Sequence, residues 1–177
     1  YHDQEWGVPV HDDRQLFEAL TLESAQAGLS WRTILHKREN YREAFDNFEP
    51  DSVAAYDHTD RVRLMANAGI VRNRAKIDAA ISNANRVLEI QREFGSFDHY
   101  IWQFTGYKSL RKSGLIMFES LPSQSPESVT MSIGLRRKGF RFVGPVICYS
   151  YMQAIGMVND HVTECFRAPE PPERINS

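Results

Sequence analysis

The chain has 177 residues, a formal net charge of −2, 42% hydrophobic residues and 25% charged ones. This is the composition of one folded globular domain; it is too apolar for a disordered chain, and no run approaches the ~18 apolar residues of a membrane span. The charge is unevenly spread: residues 1–60 carry 13 acids and 5 bases, and residues 61–151 carry 14 bases and 6 acids. A local excess of this size can build a basic face for a polyanion, or simply solvate helix surfaces. Two cysteines, Cys148 and Cys165, cannot form a disulfide framework, so a reducing, cytoplasmic setting is expected.

In chain order the sequence predicts helices joined by short loops. Asp12 or Asp13 caps a helix to about Ala25 with Leu16, Phe17 and Leu20 inward, and Gly28 stops it. Ser30 caps a second, about 31–46. Short helices follow Pro50 and Thr59, the latter ending near Gly69. The clearest helix is 73–94, where Ile77, Ala80, Ile81, Ala84, Val87 and Leu88 recur at spacings of 3 and 4. Ser96 caps a piece to Phe104, and residues 106–124 read as a loop with room for a short extended piece. Ser125-Pro126 starts a helix to about Lys138. A glycine-bounded turn leads to a helix from Pro145 to about Ile155, and a last helix is expected over 158–165. The fold class is mostly α, in a single domain over 1–166 with a loose tail over 167–177.

Four groups of residues could carry chemistry. In the turn 138–144, Gly139 and Gly144 allow close backbone approach, and the following helix start favours an anion. Arg136, Arg137, Lys138 and Arg141 stand beside it, Arg72, Arg74 and Lys76 could extend that face, and an ordinary helical hairpin with a solvated basic edge would look the same. His161 and Cys165 are four apart, hence on one face of the expected helix. With His2 they offer imidazole and thiolate ligands for Zn²⁺, although from this spacing alone a buried histidine and an inert cysteine are the better reading. Glu23 falls near Tyr1, Trp6 and Trp31 in motif space; a carboxylate among rings suits a flat cation, and a solvated glutamate with three core aromatics is the plain alternative. Finally, Asp160 could position a water, orient His161 or cap the last helix.

Three strings together resemble the 3-methyladenine DNA glycosylase I family: Tyr1-His2-Asp3-Gln4-Glu5-Trp6-Gly7, Leu22-Glu23-Ser24-Ala25-Gln26-Ala27-Gly28-Leu29-Ser30-Trp31, and Lys138-Gly139-Phe140-Arg141-Phe142-Val143-Gly144 followed by Asn159-Asp160-His161-Val162. Lys37-Arg38-Glu39-Asn40-Tyr41 and Ala68-Gly69-Ile70-Val71-Arg72 extend the likeness to nearly the whole chain. The resemblance implies a helix-hairpin-helix fold of two helical lobes with a cleft between them, acting on alkylated double-stranded DNA and releasing free 3-methyladenine. It implies a base pocket lined by Glu23, Tyr1 and Trp31. It also implies a structural zinc on His2, His161, Cys165 and a cysteine upstream of Tyr1.

Related glycosylases place a catalytic Asp after the hairpin. Here Asn159 matches it and Asp160 follows, so either would position the water or the sugar. No lysine lies between Pro145 and Met157, so hydrolysis without a lyase step is expected. A monomer is the default for a lesion search, with no membrane partner. The competing classes are a non-catalytic helix-hairpin-helix DNA-binding module, in which Glu23 would face solvent, and a His-Asp metal phosphohydrolase using His2-Asp3 and His11-Asp12.

Overall fold

The computed structural model describes residues 1–111, 117 and 121–168. The described part is helical, with eight α-helices: α1 Asp13–Gln26, α2 Trp31–Ala44, α3 Pro50–Ala54, α4 His58–Ala66, α5 Arg74–Phe94, α6 Phe97–Trp102, α7 Pro126–Arg137 and α8 Pro145–Ala154. Polar residues ahead of the apolar runs cap them as the sequence predicts. Asp12, Ser30, Ser96 and Ser125 accept from the amides of Gln15, Thr33, His99 and Ser128. The helix expected after Thr59 starts two residues earlier, because Asp57 and Asp60 form a reciprocal capping box. α2 stops at Ala44 rather than 46, since Asp46, Asn47 and Phe48 all adopt positive φ.

α5 is the central rod. Its apolar face, Ile77, Ala80, Ile81, Ala84 and Val87, is buried in one continuous core with Leu16, Phe17 and Leu20 of α1 and Cys148, Tyr151 and Met152 of α8. Fully burying one such aliphatic or aromatic side chain is worth about 1.5–3 kcal/mol. α1 packs against α2, α5 and α8, so its ends are fixed from three sides.

The expected last helix over 158–165 is absent. Val158 instead forms a parallel bridge with Leu110, and residues 159–168 run through turns. The backbone groups that would start that helix are committed elsewhere: Leu110 N–H donates to the Met157 carbonyl and Asn159 N–H to the Leu110 carbonyl. Asp160 is accordingly no helix cap. Leu110 is the short extended piece of the 106–124 loop; residues 112–116 and 118–120 of that loop lie outside the described residues. Of the expected tail, Arg167 and Ala168 turn back onto the Cys165 thiol and carbonyl, and 169–177 lie outside the described residues.

Candidate functional site

Glu23 sits on the last turns of α1, 5% exposed. Among the described residues no group hydrogen-bonds or ion-pairs with its carboxyl, and burial pushes its pKa from the usual carboxylate range up to about 8. It faces a cavity of about 330 Å³ that Tyr1, Trp6 and Trp31 also line, so the structure brings together the acid and the three rings singled out from sequence. That volume lies in the ~300–1,000 Å³ range of small-molecule pockets. The Tyr1 and Trp31 rings are tilted at 54° with centroids 5.5 Å apart. Burial and the nearby Glu23 push the Tyr1 phenol well up, so it stays a neutral hydroxyl.

The remaining lining is His2, Gln26, Ser150 and Gln153. Ser150 and Gln153 escaped the sequence reading. Their signal was their position: two polar residues three apart on the otherwise apolar α8 share one helix face.

His2, His161 and Cys165 converge, with their ligand atoms all within 4.8 Å of one another; this is the only such His, Cys or acid group found among the described residues. The His2 Nε2 lies 3.6 Å from the Cys165 sulfur. The second nitrogens are pinned by oxygens, His2 Nδ1 at 2.9 Å from Asp3 Oδ1 and His161 Nδ1 at 2.9 Å from Asn159 Oδ1. This leaves each Nε2 as the free lone pair, and His161 Nε2 is buried with no hydrogen-bond partner. Two imidazoles, one of them with its buried Nε2 left without a partner, and one thiol are a donor set that fits Zn²⁺. The sequence paired His161 with Cys165 through a helix face; turns, not a helix, bring them together. Gly7 lets the N-terminal segment press on this cluster: it has φ +78°, and a Cβ there would lie 2.7 Å from the His161 ring. The Trp6 and His161 rings meet edge to face at 4.6 Å.

Asn159 and Asp160 are not among the residues lining the cavity. Asn159 Oδ1 is engaged by the His161 backbone amide and faces its ring. Asp160 is 1% exposed, and its Oδ2 accepts from Tyr149 Oη at 2.5 Å and Gln153 Nε2 at 2.7 Å. His11 and Asp12 do not approach the metal cluster; His11 bonds Asp98 and stacks on Trp102.

The turn between α7 and α8 is closed by backbone geometry. Gly139 (φ +87°) donates to the Arg136 carbonyl and Phe140 to the Leu135 carbonyl, the two bonds of a Schellman stop, with Phe140 and Leu135 both buried. Buried Asn83 of α5 clamps Arg141, accepting from its N–H and donating to its carbonyl. Phe142 holds the uncommon φ of +55°, and its carbonyl accepts from Ser24, the neighbour of Glu23. Gly144 begins α8 with no side-chain cap, and the Arg136 guanidinium lies 3.6 Å from the space its Cβ would fill. Arg136, Arg137 and Arg141 are exposed and have no acid partner among the described ion pairs. Lys138 instead pairs with Glu93, Arg74 lies 3.7 Å from Asp78, and Lys76 donates to the carbonyls of Ala25 and Ala27 at the end of α1, so these are not free surface cations.

Fold and site together define a mostly helical protein with an acid-bearing, ring-lined cavity beside a basic turn between two helices. Residues 1–168 match the methyladenine glycosylase family, and the chain belongs to it. It is 46% identical to DNA-3-methyladenine glycosylase 1 of Escherichia coli over 165 residues, covering 93% of this chain and 88% of the relative. The corresponding Haemophilus influenzae enzyme is 41% identical over 165 residues, with 93% and 89% covered. Among solved structures, a crystal structure of 3-methyladenine DNA glycosylase I superposes with a TM-score of 0.92 at 47% identity, covering 96% of this chain and 92% of that one. The Staphylococcus aureus enzyme, solved to explain 3-methyladenine recognition, superposes with a TM-score of 0.92 at 37% identity, covering 97% and 91%.

Proposed function

We propose that this protein is a DNA repair glycosylase that hydrolyses the N-glycosidic bond of 3-methyladenine in alkylated DNA. The carrying observation is Glu23: a buried carboxyl with no basic partner, walled by Tyr1, Trp6 and Trp31. Burial keeps this acid protonated in the empty fold, and a cationic guest is what would stabilise its carboxylate form. Methylation at N3 makes adenine such a guest and weakens its bond to the sugar, so the base departs without strong acid assistance. Water supplies the hydroxyl that ends on C1′ and gives up one proton to solvent, and the departing base takes the bonding electrons, which neutralise its charge.

Reaching the cavity requires flipping the nucleotide out of the duplex, at a cost of about a few kcal/mol, less for a damaged base. Contact of the cation with each ring returns about 0.5–2 kcal/mol, and Glu23 adds a charge-assisted hydrogen bond. Neutral adenine gains less from the same groups, so charge contributes to selectivity as well as shape. Among the described residues no lysine lines the cavity, and hydrolysis without a lyase step is part of this proposal. A non-catalytic DNA-binding module would have no use for this acid, which is buried rather than solvent-facing.

Grip on the duplex is assigned to the 138–144 turn: Gly139 and Gly144 admit a phosphate to the backbone, and Arg136, Arg137 and Arg141 neutralise it. The metal cluster is assigned a structural role. Bound Zn²⁺ would cross-link the N-terminal segment, through His2, to the turn carrying His161 and Cys165. Because His2 lines the cavity and Tyr1 precedes it, that link sets the position of the pocket wall. The test is release of methylated base from alkylated DNA by the wild type and by Glu23→Gln. Loss of release with an intact fold is expected; undiminished release would reject the assignment.

A further inference from the structure

The cavity is lined by a second polar side chain whose orientation is fixed from outside it. Gln153 lines it from α8, one helical turn beyond Ser150. Its amide nitrogen donates to Asp160 Oδ2 at 2.7 Å. That oxygen also accepts from Tyr149, four residues before Gln153 on the same helix. Asp160 is itself fixed: it is buried, and the adjoining backbone is tied to Leu110 by the Asn159 amide. An oxygen that already accepts one hydrogen bond makes the Gln153 NH₂ the end that must face it. The carbonyl end is therefore turned away from Asp160. Among the described residues no group donates to Gln153 Oε1, and it is not one of the atoms sealed from solvent without a partner. Gln26, also lining the cavity, is turned by the Leu29 carbonyl, but through an exposed hydrogen bond that does not fix it in the same way.

Building on the glycosylase reading above, we propose that the Gln153 carbonyl oxygen accepts a hydrogen from the exocyclic amino group of the flipped methylated adenine. Asp160 is the positioning residue that aims it. While joined to its sugar, a 3-methylated adenine carries N–H donors only on that amino group, and there are two of them. Glu23 and Gln153 are two acceptors on the walls of one cavity, from α1 and α8. The pair makes the site a reader of an amino-bearing cationic purine, with one oxygen for each hydrogen. Asp160, placed by sequence as a group for water or sugar, thereby acts on recognition through Gln153.

The test is titration of the whole protein with two free bases, 3-methyladenine and 3-methylpurine, which keeps the ring and methyl group but lacks the amino group. Gln153→Met, close in volume, is expected to weaken 3-methyladenine about five- to tenfold, the loss of one hydrogen bond, and to leave 3-methylpurine unchanged. Asp160→Asn preserves shape but lets the Gln153 amide face either way, so it should lose about two- to fivefold in the same amino-dependent manner; it also serves if Gln153→Met does not fold. Equal losses for both bases, or no loss, would overturn the proposal. Glu23→Gln in the same titration separates the two readings. If the wild type binds neither base, the glycosylase site falls and this inference with it. If Glu23→Gln weakens binding while Gln153→Met is indifferent to the amino group, only the Gln153 role falls.

Discussion

Glu18 and Glu23 lie five residues apart on α1 and are almost equally buried, at 2% and 5% exposure, yet their surroundings are opposite. Glu18 receives Arg38 Nε at 2.7 Å and Arg42 at 2.9 Å, beside a polar cavity of about 610 Å³. Among the described residues Glu23 receives no hydrogen bond or ion pair, and it faces the smaller, aromatic cavity. Five residues turn a helix by about 140°, so one helix presents its two acids to different spaces, with Tyr1 and Trp31 lining both. A paired buried acid is a strut; an unpaired one is strain held in reserve for a ligand. Size does not rank these cavities, since the larger holds charges that are already satisfied.

The sharpest way to break this contrast is to remove each acid in turn. Glu23→Ala should lower kcat/KM for release of 3-methyladenine by at least ~10²-fold, the scale of losing a preorganised electrostatic contact, with the melting temperature no lower than wild type. Glu18→Ala should do the reverse, costing about 1–3 kcal/mol of stability by removing the buried carboxylate that joins Arg38 and Arg42, which keep only their outer partners Glu5 and Glu39. Urea unfolding and base release on both variants check this; a stable Glu18→Ala or an active Glu23→Ala would erase the distinction.

The pH dependence sharpens it. Glu23 ionises near pH 8 in the fold and near 4.5 when unfolded, so between these values the unfolded chain loses a proton that the folded one keeps. Stability attributable to Glu23 therefore falls as pH rises through that window and levels off above it. Glu23→Gln should match wild-type stability at pH 4 and exceed it at pH 8.5 by several kcal/mol, at about 1.4 kcal/mol for each unit of the shift. A difference that does not change with pH would mean that the carboxyl is not held neutral. Elemental analysis comes next: about one zinc per chain is expected, and chelation should lower the melting temperature and weaken binding of free 3-methyladenine, because Tyr1 and His2 share a segment. A protein carrying no zinc would remove the metal assignment.

The capping residues and the periodic face of α5 were legible because both are local. Glu23, Tyr1, Trp6 and Trp31 were separately weak, and the family motifs united them before their geometry was known. The last helix misled because Val158 and Asn159 are governed by Leu110, about fifty residues away, which outweighs local spacing. The signal of Gln153, its place on an apolar helix, was too weak to read for a related reason. A polar residue on an apolar helix acquires meaning only when Asp160 fixes one end of it and Glu23 stands across the same space.

The smallest effect belongs to the region least like the cavity, the basic turn. Arg141 is held by its backbone, through Asn83, and its side chain is exposed with no acid partner among the described ion pairs. Charge reversal there should leave the fold and the Glu23 pocket intact. Arg141→Glu is expected to weaken binding to duplex DNA of any sequence, and to reduce the slope of log affinity against log salt by about 1, the signature of one lost phosphate contact. Binding of free 3-methyladenine should not change. An unaltered salt slope would take the duplex grip away from this turn, whereas a loss confined to methylated DNA would place Arg141 with the base pocket instead.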